Sequence, residues 1–307
     1  MQKTAFLYPG QGAQTTGMGH NLASQFPACR TLFEQANEVL GFDIARICFE
    51  GPDEELTKSS HAQPGIFLVS VAAQTALLAA KPDLQPTALA GLSSGEWAAL
   101  YAAGAVSFED TLRVLEARGR FMQQACEQTA GGMLSVIGLM QDAVEPIARE
   151  CAIQIANLNS PQQIVLSGRI EGIEQAEARA KEAGAKRAIR LNVAGAFHSE
   201  LMEPAARELD LFLQGISLAT PRLPVVSNVT GRPIESAEEI RAVMVRQVTE
   251  SVRWVDDIEW LRGQGISTFI ECGPGKVLAG LVKRIDREAV IHNIQDRSSL
   301  EETLETL

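Results

Sequence analysis

Short apolar runs alternate with amphipathic segments along almost the whole chain, and this pattern predicts an α/β fold. The helical segments follow the apolar runs at spacings that suit parallel strands joined by helices. Helical patterns also fill most of residues 20–80, with breaks near Pro27 and at the loop "EGPDEE". Outside the middle of the chain, the runs that predict strands are 4–8, 87–91, 224–228, 267–272 and 289–294, and the later helices are predicted at 94–103, 107–126, 199–214, 236–265 and 276–285.

The middle of the chain has a different pattern. Residues 132–139, 153–158, 162–168 and 186–193 predict strands, whereas 142–151 and 171–184 predict helices. This order, β-α-β-β-α-β within about 60 residues, is that of a ferredoxin-like unit. We therefore expect a large, discontinuous α/β domain over 1–127 and 196–307, with a ferredoxin-like subdomain over 128–195 inserted in it.

Composition narrows the class of protein. Hydrophobic residues make up 46% and charged residues 21% of the 307 residues, as in ordinary globular chains. The net charge of −11 argues against nucleic acid as the main partner, because phosphate neutralisation needs clustered Lys and Arg. The apolar stretch 66–80 is shorter than a membrane span of about 20 residues and carries Ser70 and Gln74, so we interpret it as a buried helix.

The cysteines and histidines predict neither a metal site nor a disulfide framework. The five cysteines are widely scattered, with no C-x-x-C pair, and the four histidines show no zinc-binding spacing. An odd number of unpatterned cysteines is typical of reduced thiols, and the N-terminal apolar run is too short for a signal peptide. We expect a cytoplasmic protein without metal or cofactor.

The segment "GLSSGEW" contains the pattern Gly91-x-Ser93-x-Gly95 between a predicted strand and a predicted helix. This is the context of a nucleophile elbow, in which glycines relieve crowding in a sharp turn and the helix start favours developing negative charge. The alternative is that Ser93 or Ser94 is only the N-cap of the helix.

A serine nucleophile needs a base, and His198 is the strongest candidate among the four histidines. It lies at a strand-to-helix junction of the same kind as Ser93, at an edge where α/β sites gather. By contrast, His20 lies in a polar helix start, His61 in a loop before Pro64, and His292 in an apolar strand, where a core role is expected.

Two further segments carry candidate chemistry. Arg118 shares a predicted helix with other arginines. If it faces a closed site, its guanidinium would offer two parallel hydrogen bonds to a carboxylate. The alternative is that Arg118 is a solvated surface residue. The loop "PGQGAQ" after the first strand fits an oxyanion loop or an ordinary tight turn, since it does not complete a dinucleotide motif. The segment "ECGPGKVLAG" also fails the phosphate-loop pattern, so nucleotide binding is not expected there.

Taken together, these segments resemble the malonyl-CoA:acyl carrier protein transacylases of fatty acid synthesis and their polyketide acyltransferase relatives. The similarity covers nearly the whole chain in the right order, and the ordered set is far more specific than any one motif. It is carried by 6–19, 51–67, 91–104, 113–126, 157–168, 183–202, 245–254 and 271–285. The resemblance implies an α/β-hydrolase-like large domain with an inserted ferredoxin-like subdomain.

The resemblance also implies a reaction and its residues. Ser93 would attack the thioester of malonyl-CoA with His198 as base, and the phosphopantetheine thiol of acyl carrier protein would then take the malonyl group. Backbone N–H groups of Gln11 and Ser94 would hold the oxyanion. In the family pattern, Arg118 pairs with the malonyl carboxylate, the Gln247 carbonyl orients the histidine, and Phe197 crowds an α-methyl branch. The coenzyme A thioester is a substrate, and no cofactor is implied.

The elbow itself departs from the family pattern G-H-S-L-G-E. Leu92 replaces the histidine, Ser94 replaces the leucine, and Trp97 stands where tyrosine is common. The acyl pocket beside Leu92 is therefore expected to differ in polarity. Two groups of basic residues, Lys186, Arg187 and Arg190 and then Lys276, Lys283 and Arg284, are candidates for carrier docking.

Three alternatives to this reaction stay open at the level of sequence. The acceptor carrier could belong to a polyketide synthase or a malonate decarboxylase. Water could replace the carrier thiol, which would make the protein a serine thioesterase or other hydrolase. The chain could also be a non-catalytic carrier-binding module, which the joint presence of Ser93, His198, Arg118 and Gln11 disfavours.

Overall fold

The computed structural model describes residues 3–307, in which two β-sheets of different type organise the chain. Strands β1, β2 and β7–β10 form one sheet and β3–β6 the other. The strands are β1 Thr4–Tyr8, β2 Ala88–Gly91, β3 Gly131–Ile137, β4 Gln154–Ser160, β5 Gln163–Arg169, β6 Arg187–Arg190, β7 Val225–Ser227, β8 Arg232–Pro233, β9 Thr268–Cys272 and β10 Val290–Ile294.

Fourteen α-helices cover or connect these sheets in the described residues. They are α1 His20–Gln25, α2 Pro27–Leu40, α3 Ile44–Glu50, α4 Asp53–Thr57, α5 Ser59–Ala80, α6 Gly95–Ala102, α7 Phe108–Gln128, α8 Gln141–Glu150, α9 Ile170–Glu182, α10 Glu203–Leu213, α11 Ala237–Arg246, α12 Trp254–Gly263, α13 Val277–Ile285 and α14 Arg297–Thr306. A 3-10 turn at Glu200–Met202 precedes α10.

The larger sheet has the strand order β10-β9-β1-β2-β7-β8 and is parallel except for the short edge strand β8. Alternate residues of its strands pack into separate cores on its two faces. Phe6 and Tyr8 of β1 point into one core, whereas Ala5 and Leu7 point into the other. Because both faces are covered, the strand is apolar along its whole length, which is the pattern in the sequence.

The smaller sheet is antiparallel, with the order β4-β5-β3-β6. The helices α8 and α9 pack on one of its faces, around residues such as Leu134, Ile164 and Ile173. This is the β-α-β-β-α-β arrangement predicted from the sequence, and the sheet spans Gly131 to Arg190. It is joined to the rest of the chain at Val252, which exchanges backbone hydrogen bonds with Ala156 and Leu158.

Some predicted boundaries were wrong. Helix α5 begins at Ser59 and continues through Pro64, so His61 lies in a helix and not in a loop. Strand β6 ends at Arg190, three residues before the predicted end, and the segment that follows lines a cavity. Strand β8 and helix α14 were not predicted, although Asp296 and Ser299 form a capping box at the start of α14.

Helix α5 is the one helix in residues 3–307 that is long and apolar enough to cross a membrane. In its most apolar 18-residue window, however, 78% of the residues are buried within the protein. The buried helix predicted over 66–80 is therefore confirmed, as the C-terminal part of α5.

Candidate active site

Ser93 lies in a sharp turn between β2 and α6, at the carboxyl edge of the larger sheet. Its φ of 53° is in the left-handed region, which a non-glycine residue adopts only at an energetic cost. The flanking glycines allow the turn because a Cβ on Gly91 would lie 2.0 Å from the Gly95 oxygen, and one on Gly95 would lie 2.2 Å from the Tyr8 oxygen. The helix begins at Gly95, so Ser94 occupies the N-cap position as the alternative expected, but it makes no side-chain capping hydrogen bond, and Ser93 lies outside the cap.

His198 contacts the serine directly. Its Nε2 lies 2.8 Å from Ser93 Oγ, and its Nδ1 lies 2.7 Å from the main-chain carbonyl oxygen of Gln247. A carbonyl oxygen can only accept, so Nδ1 carries the proton and Nε2 is free to accept the proton of the Ser93 hydroxyl. Burial, together with the nearby Arg118 charge, lowers the pKa of His198 to about 4, which keeps the imidazole neutral.

Arg118 is 1% exposed and reaches the same serine from the middle of α7. Its Nη2 donates to Ser93 Oγ at 3.2 Å and to Gln247 Oε1 at 3.0 Å, and its Nη1 donates to Gln63 Oε1 at 2.8 Å. Its Nε has no acceptor in residues 3–307. Burial lowers the pKa of Arg118 to about 10, and the Glu96 charge opposes that shift, so the guanidinium stays charged. A buried cation that donates only to neutral groups is suited to an anionic ligand.

The loop Pro9–Gln14 and the Ser93 turn are adjacent because β1 and β2 are paired, with Tyr8 opposite Gly91. Within the described residues, neither the Gln11 N–H nor the Ser94 N–H donates a hydrogen bond to another residue. Ser94 is the residue before α6, where N–H groups are unpaired by the geometry of a helix end. The two N–H groups predicted to hold an oxyanion are therefore free to do so.

The serine opens into a cavity of about 520 Å³ between the carboxyl edge of the larger sheet and the smaller sheet. Of the predicted site residues, Gln11, Leu92, Ser93, Arg118, Phe197 and His198 line it. Gln247 contacts three of these residues: its side chain bonds to Arg118 and to the Ser93 carbonyl, and its backbone carbonyl accepts from His198. The Ser94 side chain is buried, and its Oγ has no partner in residues 3–307. Asn157 and Asn159 also line the cavity and belong to the segment 157–168 that carries the family resemblance.

The other histidines lie away from the serine. His61 Nδ1 is 2.8 Å from the Glu55 carbonyl oxygen, and the ring of His20 packs against Phe49. His292 is in β10, as predicted, and half-buried. Burial lowers its pKa.

Four polar residues that the sequence analysis did not identify surround the site. Gln63 accepts from Arg118 and donates to Gln11 Oε1 at 3.1 Å, so it links the arginine to the oxyanion loop. Glu96, Asn228 and Asp257 are fully buried beneath the elbow, where Gln247 Nε2 donates to Glu96 Oε2 at 2.5 Å. The sequence does offer one signal for such residues, which is a polar residue within or next to an apolar segment, as with Gln63 in 62–73 and Asn228 after β7.

Comparison with known proteins agrees with this geometry. The family model described as "Acyl transferase domain" matches residues 5–299. A malonyl CoA-acyl carrier protein transacylase from Bacillus subtilis is 40% identical over 100% of this chain and 98% of its own length.

Solved structures are equally similar. That of the malonyl CoA-acyl carrier protein transacylase from Coxiella burnetii has a TM-score of 0.96 at 38% identity and covers 100% of this chain and 98% of the other. A malonyl-transacylase in complex with its type II PKS acyl-carrier protein has a TM-score of 0.96 at 39% identity and covers both chains fully. On this evidence, the chain belongs to the acyl transferase family, in the group of the malonyl CoA-acyl carrier protein transacylases.

Proposed function

We propose that the protein transfers a malonyl group from malonyl-CoA to the phosphopantetheine thiol of acyl carrier protein through a malonyl-serine ester. The observation that carries the proposal is the position of Ser93 Oγ, which lies 2.8 Å from the base His198 and 3.2 Å from the guanidinium of Arg118. A nucleophile, a base and a cation suited to a carboxylate thus converge at one atom in a cavity.

In the first half-reaction, Ser93 Oγ attacks the thioester carbonyl while His198 Nε2 takes the hydroxyl proton. The oxyanion forms opposite the free N–H groups of Gln11 and Ser94. When the tetrahedral intermediate collapses, the carbon–sulfur bond breaks and His198 returns the proton to the departing CoA thiolate. The products are the malonyl ester of Ser93 and free CoA.

The second half-reaction reverses these steps with the carrier thiol as nucleophile. His198 Nε2 takes the thiol proton, the sulfur attacks the ester carbonyl, and the serine oxygen leaves with the proton from His198. The Nδ1–H bond to the Gln247 carbonyl holds one tautomer throughout, so no triad carboxylate is required.

Arg118 supplies the selectivity for a dicarboxylic acyl group. A malonyl carboxylate would pair with the buried guanidinium, whereas an acetyl group would leave that charge without a partner. Phe197, which lines the same cavity, would crowd an α-methyl branch, and Leu92 gives the acyl pocket an apolar wall.

The inserted subdomain and the carrier contact belong to the same proposal. We take 128–195 as the subdomain that closes one side of the cavity, and 1–127 with 196–307 as the catalytic domain, in a cytoplasmic protein of fatty acid synthesis. Of the basic groups considered for docking, Arg190 already pairs with Glu174 and Glu177, so the remaining basic residues are the stronger candidates.

The test is the intact mass of the protein after incubation with malonyl-CoA. We expect a covalent malonyl adduct on the wild type and none on Ser93→Ala, with Ser94→Ala as the matched control that keeps the nucleophile. Addition of holo carrier protein should then discharge the adduct onto the carrier. Discharge at the same rate without carrier would instead indicate a hydrolase, and absence of any adduct would refute the proposal.

A further inference from the structure

We propose that Asn228 is the positioning residue that holds the Ser93 elbow in its reactive conformation. The proposal rests on the proposed role of Ser93 as nucleophile. It concerns a residue that contacts neither the acyl group nor the base, and that acts through the backbone that carries the serine and through its contact with Gln247.

The amide of Asn228 connects the two ends of the turn. Its Oδ1 accepts from the Ser93 N–H at 2.7 Å, and its Nδ2 donates to the carbonyl oxygen of Gly91 at 2.8 Å. The same Nδ2 donates to Asp257 Oδ2 at 2.8 Å. The backbone N–H of Asn228 donates to Glu96 Oε2 at 3.2 Å, which fixes the asparagine to the first turn of α6. Its Oδ1 also accepts from Gln247 Nε2 at 3.3 Å, so the side chain has four partners in and around the elbow.

Asparagine is the residue type that these contacts require. The site needs an acceptor for one backbone N–H and a donor for a carbonyl and a carboxylate on the other side, and an amide offers both on one rigid plane. Aspartate would keep the acceptor but lose the donor, and it would place a third carboxylate beside Glu96 and Asp257, which are both fully buried. Serine would be too short to span the turn.

The contact has two consequences for the reaction. Ser93 is held at a φ of 53°, which persists only where the surroundings fix it, and that conformation directs Oγ toward His198. In addition, the Ser93 N–H is turned down into the protein, so the N–H groups left to stabilise an oxyanion are those of Ser94 and Gln11. Without Asn228, the turn would relax, and the buried N–H of Ser93 would lack an acceptor.

The test compares Asn228→Asp with Asn37→Asp in the full-length protein. Asn37 is a matched control on α2, remote from the cavity. Its Oδ1 also accepts from a backbone N–H, that of Ala45 at 3.1 Å, and its Nδ2 also donates to an aspartate, Asp43 at 2.9 Å. Three quantities are measured well below the melting temperature: kcat and KM for malonyl-CoA, and the rate of Ser93 sulfonylation by phenylmethanesulfonyl fluoride.

For Asn228→Asp we expect kcat and the sulfonylation rate to fall together by about 10- to 100-fold, with KM for malonyl-CoA within about threefold of the wild type. Asn37→Asp should change neither rate by more than about twofold. The double variant Asn228→Asp with Asp257→Asn restores the number of buried carboxylates and returns a donor to the pair. It should recover part of both rates, and it provides a folded protein if the single variant does not fold.

Equal sulfonylation of wild type and Asn228→Asp would overturn the inference, as would a raised KM with unchanged kcat. An equal fall in Asn37→Asp, or no recovery in the double variant, would also overturn it, because either result indicates a general loss of stability. A wild type that reacts with phenylmethanesulfonyl fluoride but never with malonyl-CoA would refute the proposed substrate and leave the positioning of Ser93 testable on its own.

Discussion

Replacement of Arg118 by alanine should change the selectivity of the protein more than its reactivity. The side chain is 1% exposed and forms no salt bridge with an acidic side chain in residues 3–307; Glu96, whose charge acts on it, accepts a hydrogen bond from Gln247. A bound carboxylate would therefore provide its main ionic partner. Removal of one member of a buried ion pair costs about 3–5 kcal/mol, which corresponds to a loss of about 10²- to 10⁴-fold in kcat/KM for malonyl-CoA.

Acetyl-CoA has no carboxylate to lose, and its loading should change by less than about tenfold. The small decrease expected reflects the acceptors that the truncation leaves unpaired, Gln63 Oε1 and Gln247 Oε1. The ratio of kcat/KM for the two thioesters is obtained directly when malonyl-CoA and acetyl-CoA compete for the serine and the two adducts are separated by mass.

The control is Arg113→Ala on the same helix, where the side chain is half exposed and pairs with Asp110 at 2.9 Å. An exposed pair of this kind contributes at most about 1 kcal/mol to stability, and its loss should leave the selectivity unchanged. If Arg118→Ala lowers the loading of both acyl groups equally, the guanidinium does not recognise the carboxylate and the reasoning is refuted.

Three further predictions concern pH and backbone geometry. Because burial and the Arg118 charge lower the pKa of His198 to about 4, kcat/KM for serine loading should stay level from pH 8 to about pH 5 and fall only near pH 4, whereas an inflection near 6.5 would contradict this pKa. Burial raises the pKa of Glu96 to about 7, so the folded state binds this proton more tightly than the unfolded state. The free energy of unfolding of the wild type should therefore decline, relative to that of Glu96→Gln, as the pH rises from 4.5 to 7. If urea denaturation gives the same change between these two pH values for both proteins, this prediction is wrong. Gly91→Ala should abolish both folding yield and serine labelling, because its Cβ would lie 2.0 Å from the Gly95 oxygen. In the control Gly280→Ala, no heavy atom lies within 4 Å of the added Cβ, so the melting temperature should rise slightly, through about 0.5–1 kcal/mol of helix propensity.

The helices and strands with a regular pattern of hydrophobic positions could be predicted from the sequence. Strand β1 is apolar at every position because both faces of its sheet are covered, and the β-α-β-β-α-β unit has regular alternation and clear turns. Helix α5 shows where this fails. A loop was predicted for His61 before Pro64, but the helix includes Pro64 as its sixth residue.

The site was predictable to the extent that its residues follow strand ends or recognised motifs. Ser93 stands at a strand-to-helix junction, whereas the junction predicted for His198 was wrong, since β6 ends at Arg190 and His198 lies in a turn before the 3-10 helix. Their contact is nevertheless the one the sequence predicted. Gln63 and Asn228 were missed because their role depends on which segments meet in space: Asn228 is 135 residues from Ser93 along the chain, and only the pairing of β2 with β7 brings them together. Spacing along a sequence carries no information of that kind.

The positive φ angles have a consequence for attempts to make this protein more robust. Ser93 and His198, at 53° and 55°, are two of only three non-glycine residues with positive φ in residues 3–307. Selection for thermal resistance alone would favour glycine at both positions, since glycine adopts this conformation without a steric penalty. The variants with the highest melting temperature would then lack the nucleophile and the base, so a screen for thermal stability has to measure turnover as well.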